Sequence, residues 1–338
     1  MIVKPPSLPL EIRRLEAILS RLDRAHLQWE DLNQMYQRKL AGFRGEISLD
    51  YYLRSLPNDN LILHDLKLPL NGRHFQIDIL LLNPRYAMIY EVKNITGDLY
   101  FEHMHYQLIR KLKLEDEPEK TEVFQCPINQ VKNLQWQLSE FFRSYNIDFP
   151  LPICGKVVLT NRNAAIKSDQ DDKTVNDFVT RSWNILYQLR TLDKSYSRKT
   201  PVGDLHNIAS HLIKEHDPWL SDFEQTPVPL DDLSIGIRCL KCGYLPLSRD
   251  YGTFYCQKCN KKSKDVYEET LVDFGLLKST SITKREFKDF ADLHCDSLAS
   301  RSLRRLNLPF QGTFKNRKYD LKQFIIEKAK NWSRKRLF

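Results

Sequence analysis

Three charged residues interrupt an otherwise apolar stretch. Asp78 lies within the run Phe75 to Leu82, and Glu91 and Lys93 end the run Ala87 to Lys93. Residues two apart on a strand share a face, so Glu91 and Lys93 point one way while Val92 points into the opposite layer. Asn83-Pro84-Arg85 is turn chemistry, and folding the two runs as a hairpin brings Asp78 level with the end of the second. Burying charge without partners is costly. Two carboxylates and an ammonium converging on apolar strands therefore call for a metal ion or a mutual network. The plainer alternative is a strand-surface ion pair between Glu91 and Lys93, with Asp78 hydrogen-bonded in a turn.

A second chemistry is written in cysteine. Cys239-Leu-Lys-Cys242-Gly243 and Cys256-Gln-Lys-Cys259 are two CxxC pairs separated by thirteen residues. Four thiolates so spaced suit tetrahedral Zn2+, and Gly243 supplies the tight turn after the first pair. An all-cysteine ligand set closes the site, which points to a structural and not a catalytic zinc. Tyr244-Leu-Pro-Leu and Thr253-Phe-Tyr fit the short hairpin of a zinc ribbon over 235–265. A segment this small has little core without its metal. The remaining cysteines, Cys126, Cys154 and Cys295, read as buried small apolar residues.

The elements that must position the charged trio can be read from periodicity. Residues 10–56 carry helical stripes, Leu15, Ile18, Leu19 and Leu22 in one part and Leu49, Tyr52, Leu53 and Leu56 in another. Leu61 to Leu70 is strand-like, and Asn71-Gly72 is a strong hairpin turn leading into the charged strands. Gly97 to Phe101 suggests a further short strand. Residues 102–125, polar and mixed in charge, read as an irregular excursion at the sheet edge. Pro127 sits well in the first turn of a helix whose apolar face is Val131, Leu134, Leu138, Phe141 and Phe142. Ile153 to Thr160 reads as the last core strand, 161–173 as a loop, and 174–192 and 201–216 as helices. Pro218 and Pro227-Val-Pro229 look like a linker.

At 338 residues, 41% hydrophobic and 28% charged, the chain is long enough for two or three domains with a sizeable core. The net charge of +9 favours an anionic partner, nucleic acid by default. The N-terminus lacks the apolar core of a signal peptide, no run is long enough to span a bilayer, and seven cysteines with four in CxxC pairs favour metal over disulfides. A cytoplasmic protein without membrane contact is the expectation.

Asp78, twelve residues, and then Glu91-x-Lys93 at the end of an apolar strand resembles the core of the PD-(D/E)xK nuclease superfamily. Upstream, Gly42-Phe43-Arg44-Gly45-Glu46 opens a helical segment and resembles the Gly-Glu pair of the nuclease-related domain (NERD) family. Downstream, Cys126-Pro127-Ile128-Asn129-Gln130 resembles that family's Asn-Pro-x-x-Gln element, with Cys in place of Asn. The resemblance covers residues 38–160. It implies an α/β fold, a restriction-endonuclease-like mixed sheet flanked by helices. It implies Asp78 and Glu91 as ligands of Mg2+ or Mn2+, with the Val92 carbonyl assisting. Lys93 would position water and stabilise charge on the scissile phosphate. Glu46 would add a ligand or hold a metal-bound water, and Gln130 would orient water or a phosphate oxygen.

The C-terminus is basic. Between 299 and 338 twelve Lys/Arg stand against two Asp/Glu, a net of +10 that exceeds the charge of the whole chain. Thr283 and Glu286 form a capping pattern, Ser297 to Leu306 reads as a helix exposing Arg301, Arg304 and Arg305, and Lys315, Arg317 and Lys318 lie in a basic turn or wing. The arrangement resembles a helix-turn-helix or winged-helix module. A basic helix pair docking an acidic protein surface is the competing reading.

Four parts follow: an N-terminal helical segment (1–37), a nuclease-related domain with helical extension (38–225), a zinc ribbon (235–265) and a basic helix-turn-helix-like module (275–338). The favoured function is a metal-dependent nuclease acting on nucleic acid, DNA before RNA. The alternative is a non-catalytic DNA-binding or regulatory protein that uses the nuclease-like fold as scaffold.

Overall fold

The structure is a computed structural model that describes residues 1–113, 118–168, 172–197, 199–219, 227–250, 253–263, 266–313 and 316–331. In chain order the first elements are β1 (Ile2–Lys4), α1 (Leu10–Arg21), α2 (Trp29–Ser48), α3 (Asp50–Leu53), β2 (Leu61–Leu70), β3 (Arg73–Asn83), β4 (Tyr86–Lys93), β5 (Gly97–Glu102), β6 (Gln107–Leu112) and β7 (Lys120–Gln125). There follow α4 (Pro127–Ser144), β8 (Ile153–Leu159), β9 (Ala164–Lys167), α5 (Lys173–Phe178), β10 (Val179–Arg181), α6 (Ile185–Ser195) and α7 (Val202–Glu215). The chain divides into two compact units, Met1–Ser7 with Ala41–Pro218, and Leu8–Leu40 with Trp219–Phe338.

The first unit is a mixed α/β domain built on a six-stranded sheet of order β1-β2-β3-β4-β8-β10. The strands β2, β3 and β4 are antiparallel hairpins, while β4, β8 and β10 run parallel. Both faces are covered, which is why the strands read as near-continuous apolar runs. One face buries Ala87 and Ile89 against Leu134, Leu138 and Phe141 of α4 and Leu205 and Leu212 of α7. The other buries Met88 and Tyr90 against Leu49, Leu53, Ile185 and Leu189.

Four sequence expectations are corrected here. Within the expected irregular excursion 102–125, the described residues 107–112 and 120–125 form β6 and β7, which join β5 and β9 in a second sheet of order β7-β6-β5-β9. Its inward residues Leu99, Phe101 and Leu108 pack with Val131, Val157 and Leu159. Its polarity is cross-strand pairing, as where Arg110 of β6 bonds its register partner Glu122 of β7. The strand β9 lies inside the expected loop 161–173, and β8 is not the last core strand. The expected helix 174–192 is broken by β10, where Val179 and Thr180, β-branched and buried, pair with Val157 and Val158.

The second unit holds α1, residues 29–40 of α2, and β11 (Ser248–Asp250), β12 (Thr253–Tyr255), β13 (Lys262–Ser263), α8 (Tyr267–Leu277), β14 (Ser281–Thr283), α9 (Lys284–Phe290), α10 (Asp296–Arg305), β15 (Phe310–Gln311), β16 (Lys318–Asp320) and α11 (Lys322–Lys330). The first cysteine pair precedes the small sheet β11-β12-β13, and the second lies between β12 and β13. A second small sheet, β14-β16-β15, packs with α8, α9 and α10 through Phe274, Ile282, Phe287, Leu303 and Tyr319. The helix α9 starts at the capping box read from sequence, Thr283 with Glu286. The amphipathic α1 lies within this unit: Arg21 Nη2 meets Asp273 of α8 at 2.9 Å, and Arg238 Nε meets the same carboxylate at 2.8 Å. No helix among the described residues is long and apolar enough to cross a membrane.

Candidate active site

The strand β4 ends in Glu91-Val92-Lys93, and its fold dictates what faces what. Glu91 and Lys93 continue the face of Ala87 and Ile89, and Lys93 Nζ donates to Glu91 Oε1 at 2.6 Å. The antiparallel ladder between β3 and β4 stops at the pair Ile79 and Tyr90. One residue beyond, Asp78 replaces the ladder with its side chain: the Val92 N–H donates to Asp78 Oδ2 at 2.7 Å. The carboxylates of Asp78 and Glu91 are thus presented side by side, each with its second oxygen making no protein hydrogen bond among the described residues.

Glu46 arrives from α2 because Gly45 lets that helix come close. A Cβ at Gly45 would lie 2.7 Å from Asn94 Cβ and 2.9 Å from Thr160 Oγ1, so no larger residue fits without a shift. The Asn94 amide donates to the Ala41 carbonyl at 2.7 Å, fastening the helix to the residue after Lys93. The consequence is electrostatic. Burial, followed by the charges of Asp78, Asp65 and Glu91, raises Glu46 well above the usual carboxylate range, and Lys93 draws it back in part. Burial and the Glu91 charge push Asp78 up to about 8, against the Val92 hydrogen bond and Lys93. At about 8, the Asp78 carboxyl holds a proton at neutral pH unless a cation replaces it, and Glu46 is shifted in the same sense. Hard oxygen donors, a surplus of acid over base and two uncommitted carboxylate oxygens fit a divalent cation such as Mg2+ or Mn2+.

The structure therefore brings together Glu46, Asp78, Glu91 and Lys93. It does not bring Gln130 into hydrogen-bonding contact with them. The helix α4 runs back along β8, with Gln135 Nε2 donating to the Ile153 carbonyl at 2.7 Å and Val131 pressed over Gly155. That direction carries its first turn toward the level of Glu91, yet the Gln130 amide donates to Gln125 at 3.3 Å while its Oε1 is buried without a partner. Asp65, absent from the sequence reading, belongs to the group of charges, since it acts on both Glu46 and Asp78.

Cys239, Cys242, Cys256 and Cys259 place their sulfurs within 4.8 Å of one another, the one such gathering of three or more potential ligands among the described residues. Cys239 and Cys259 sulfurs are 3.6 Å apart, Cys242 and Cys256 sulfurs 3.5 Å. Tetrahedral zinc with bonds of about 2.3 Å needs sulfurs about 3.8 Å apart, so the donor set fits that ion. Burial opposes ionisation of Cys256, but backbone N–H groups of Cys259 and Lys258 and the Cys242 side chain bring its thiol down to about 7. Thiolate is the ligating form. Of the other cysteines Cys126 is buried, Cys154 is half-buried, and Cys295, at the start of α10, is exposed and not the core residue expected.

On the basic module Arg301, Arg304 and Arg305 are exposed along α10, while Ala299 and Leu303 face inward. Arg317 stacks 4.0 Å over the Phe310 ring, and Lys318 is exposed on β16. Lys315 lies outside the described residues.

No curated protein and no solved structure matches this chain. Residues 41–160, the segment that carries Glu46, Asp78, Glu91, Lys93 and Gln130, match the family model of the nuclease-related domain, NERD.

Proposed function

We propose that this protein is a metal-dependent nuclease of the PD-(D/E)xK type that hydrolyses phosphodiester bonds of nucleic acid, DNA in preference to RNA. The observation that carries it is the convergence of Glu46, Asp78, Glu91 and Lys93 at the end of β4 within the nuclease-related segment. Asp78 and Glu91 would hold Mg2+ or Mn2+, which supplies Lewis-acid polarisation of the phosphodiester. Their open arrangement, looser than the cysteine cluster, suits a cation that keeps waters and shares phosphate oxygens. Lys93, steadied by Glu91, offers its ammonium to the negative charge that grows on the phosphate in the transition state. Glu46, on the neighbouring helix, would add a ligand to that cation or hold a metal-bound water. Gln130 would reach the substrate only by exchanging its Gln125 hydrogen bond.

The second unit reads as a structural Zn2+ ribbon at Cys239, Cys242, Cys256 and Cys259, followed by a winged helix-turn-helix. In it α10 would present Arg301, Arg304 and Arg305 to DNA, with Lys318 on β16 and Arg317 just before that strand against phosphate. Affinity for duplex DNA should then fall steeply with salt, and each phosphate-contacting Arg replaced by Ala should lower the salt slope by about 1.

The decisive experiment is cleavage of linear, circular and single-stranded DNA with Mg2+ or Mn2+ by the wild type, Asp78→Ala and Lys93→Ala. Cutting that both substitutions abolish, with fold and zinc content unchanged, establishes the site. Absence of cutting on every substrate, with DNA binding intact, would leave the scaffold reading. Cutting that survives both substitutions would place the chemistry elsewhere.

A further inference from the structure

The most unusual backbone in the first unit lies in β2, opposite Asp78. Asp65 has φ +48°, and among the described residues it is the one non-glycine inside a strand with a left-handed φ. The pairing of β2 with β3 is regular from Leu61 with Leu82 to His64 with Ile79, omits Asp65 and Asp78, and resumes at Leu66 with Ile77. Side chains show the same slip. Leu61, Leu63, Leu66 and Leu68 pack in one core, as do Leu82, Leu80, Ile77 and Phe75 across from them. Each strand thus loses one step of alternation at the same level. On β3 the slip falls at Asp78, where the ladder to β4 ends and the carboxylate turns to the Val92 N–H.

A buried ammonium holds this turn in place. Lys4, at the end of the edge strand β1, is 8% exposed. Its Nζ donates to the main-chain carbonyls of His64 at 2.6 Å and Asp65 at 2.8 Å, the two peptides that flank the left-handed residue. A buried charge needs such partners, and a strained backbone persists only where its surroundings over-determine it. Nothing in the proposed chemistry employs Lys4 directly.

We infer that Lys4 is a positioning residue for the candidate active site: its ammonium fixes the left-handed turn at Asp65, and that turn sets Asp78 against the Val92 N–H with its other oxygen presented beside Glu91. The inference rests on the proposed cation site, but its geometry can be tested without a cation.

The variants are Lys4→Met, Lys4→Arg, and Lys4→Met combined with Asp65→Gly, since glycine adopts φ +48° without strain. The readout is hydrogen exchange at the Val92 amide of the metal-free full chain, resolved with overlapping peptides across 86–93. Lys4→Met should lower Val92 protection by about tenfold, as for loss of one hydrogen bond, while the Ile89 and Tyr90 amides keep theirs. Lys4→Arg and the glycine double variant should restore it. Unchanged Val92 exchange in Lys4→Met overturns the inference. So does a loss that the glycine double variant fails to restore, because Lys4 would then merely anchor the edge strand. If Lys4→Met does not fold, the double variant decides in the same way, and its failure to fold also overturns the inference. Mn2+ binding, measured in parallel, should weaken by about 10-fold or more in Lys4→Met, as when a ligand's supporting residue is removed. If wild type and Asp78→Asn bind Mn2+ equally, the cation site itself falls, and Val92 exchange still judges Lys4.

Discussion

Two glycines three residues apart on α2 should respond oppositely to the same substitution. A Cβ at Gly42 would meet nothing within 4 Å, whereas one at Gly45 would meet Asn94 Cβ at 2.7 Å and Thr160 Oγ1 at 2.9 Å. Both sites are helical, so alanine gains about 0.5–1 kcal/mol at each from backbone entropy and propensity. At Gly42 that gain stands alone. At Gly45 it is opposed by overpacking worth about 1–3 kcal/mol, because the obstructing atoms are the root of Asn94 and a hydroxyl on a stiff β-branched side chain, neither able to swing away. The expected result is stabilisation by Gly42→Ala, a net loss of up to about 2 kcal/mol for Gly45→Ala, and a gap between them of about 1–3 kcal/mol, the overpacking alone. For a unit of 150–250 residues a kilocalorie moves Tm by about 2–4 °C, so the two melting curves should part by roughly 2–12 °C. Thermal unfolding by circular dichroism of the full chain measures this, with intrinsic propensity cancelling between the variants. If Gly45→Ala is as stable as Gly42→Ala, α2 does not press on the end of β4. The placement of Glu46 beside Asp78 then loses its cause.

Three further outcomes follow from the same structure. Asp78 is pushed up to about 8 in the folded chain against about 4 unfolded, so between those values the folded state binds more protons and stability falls as pH rises. Metal-free wild type should therefore lose Tm from pH 5 to pH 8, Asp78→Asn should flatten that loss, and Mg2+ should restore Tm at pH 8; equal slopes in wild type and variant would refute the assignment. Native mass spectrometry should find one Zn2+ per chain, and chelation should abolish exchange protection at 248–263; full protection in zinc-free protein would exclude a metal-dependent ribbon. In the second unit Asp273, 1% exposed, answers both Arg21 and Arg238, so Asp273→Ala should cost about 3–5 kcal/mol by taking its carboxylate partner from the buried Arg21 guanidinium, while Arg238 keeps Glu16 and Glu269. Urea denaturation reads this, and a loss under about 1 kcal/mol would mean that water reaches the pair.

Much of the first unit was legible because its strands are fully covered and its turns are marked. Asn71-Gly72 and Asn83-Pro84-Arg85 punctuate three strands, and Pro127 begins α4 where its ring suits the first turn. The convergence of Asp78, Glu91 and Lys93 followed from strand parity and hairpin closure. What stayed hidden depended on partners distant in sequence. Strands β6 and β7 are mixed in charge because Arg110 and Glu122 answer each other across the ladder, and a one-dimensional pattern cannot distinguish paired charges from a solvated loop. The strand β10 is three residues between two helices and exists only because β8 offers it an edge. The grouping of α1 with the C-terminal segment rests on Arg21 meeting Asp273, 252 positions on, beside Arg238.

The slip at Asp65 is a different case, because half of it is written in the sequence. In β2 the inward residues are Leu61 and Leu63, then Leu66 and Leu68, so a spacing of two is broken once by a spacing of three, across His64-Asp65. A strict period of two admits no such step without a bulge or a residue of unusual φ, and aspartate is among the few that tolerate the left-handed region. In β3 the matching slip is masked, since Ile77, Ile79, Leu80, Leu81 and Leu82 are all apolar and either phase would satisfy the pattern. Only Asp78 marks the place. The polar residue that breaks an apolar strand and the skipped step in its neighbour are one event seen from two strands, and Lys4 is the third strand's answer to it. Reading the two strands jointly, with Asp65 opposite Asp78, identifies from sequence the fourth carboxylate that either strand taken alone conceals.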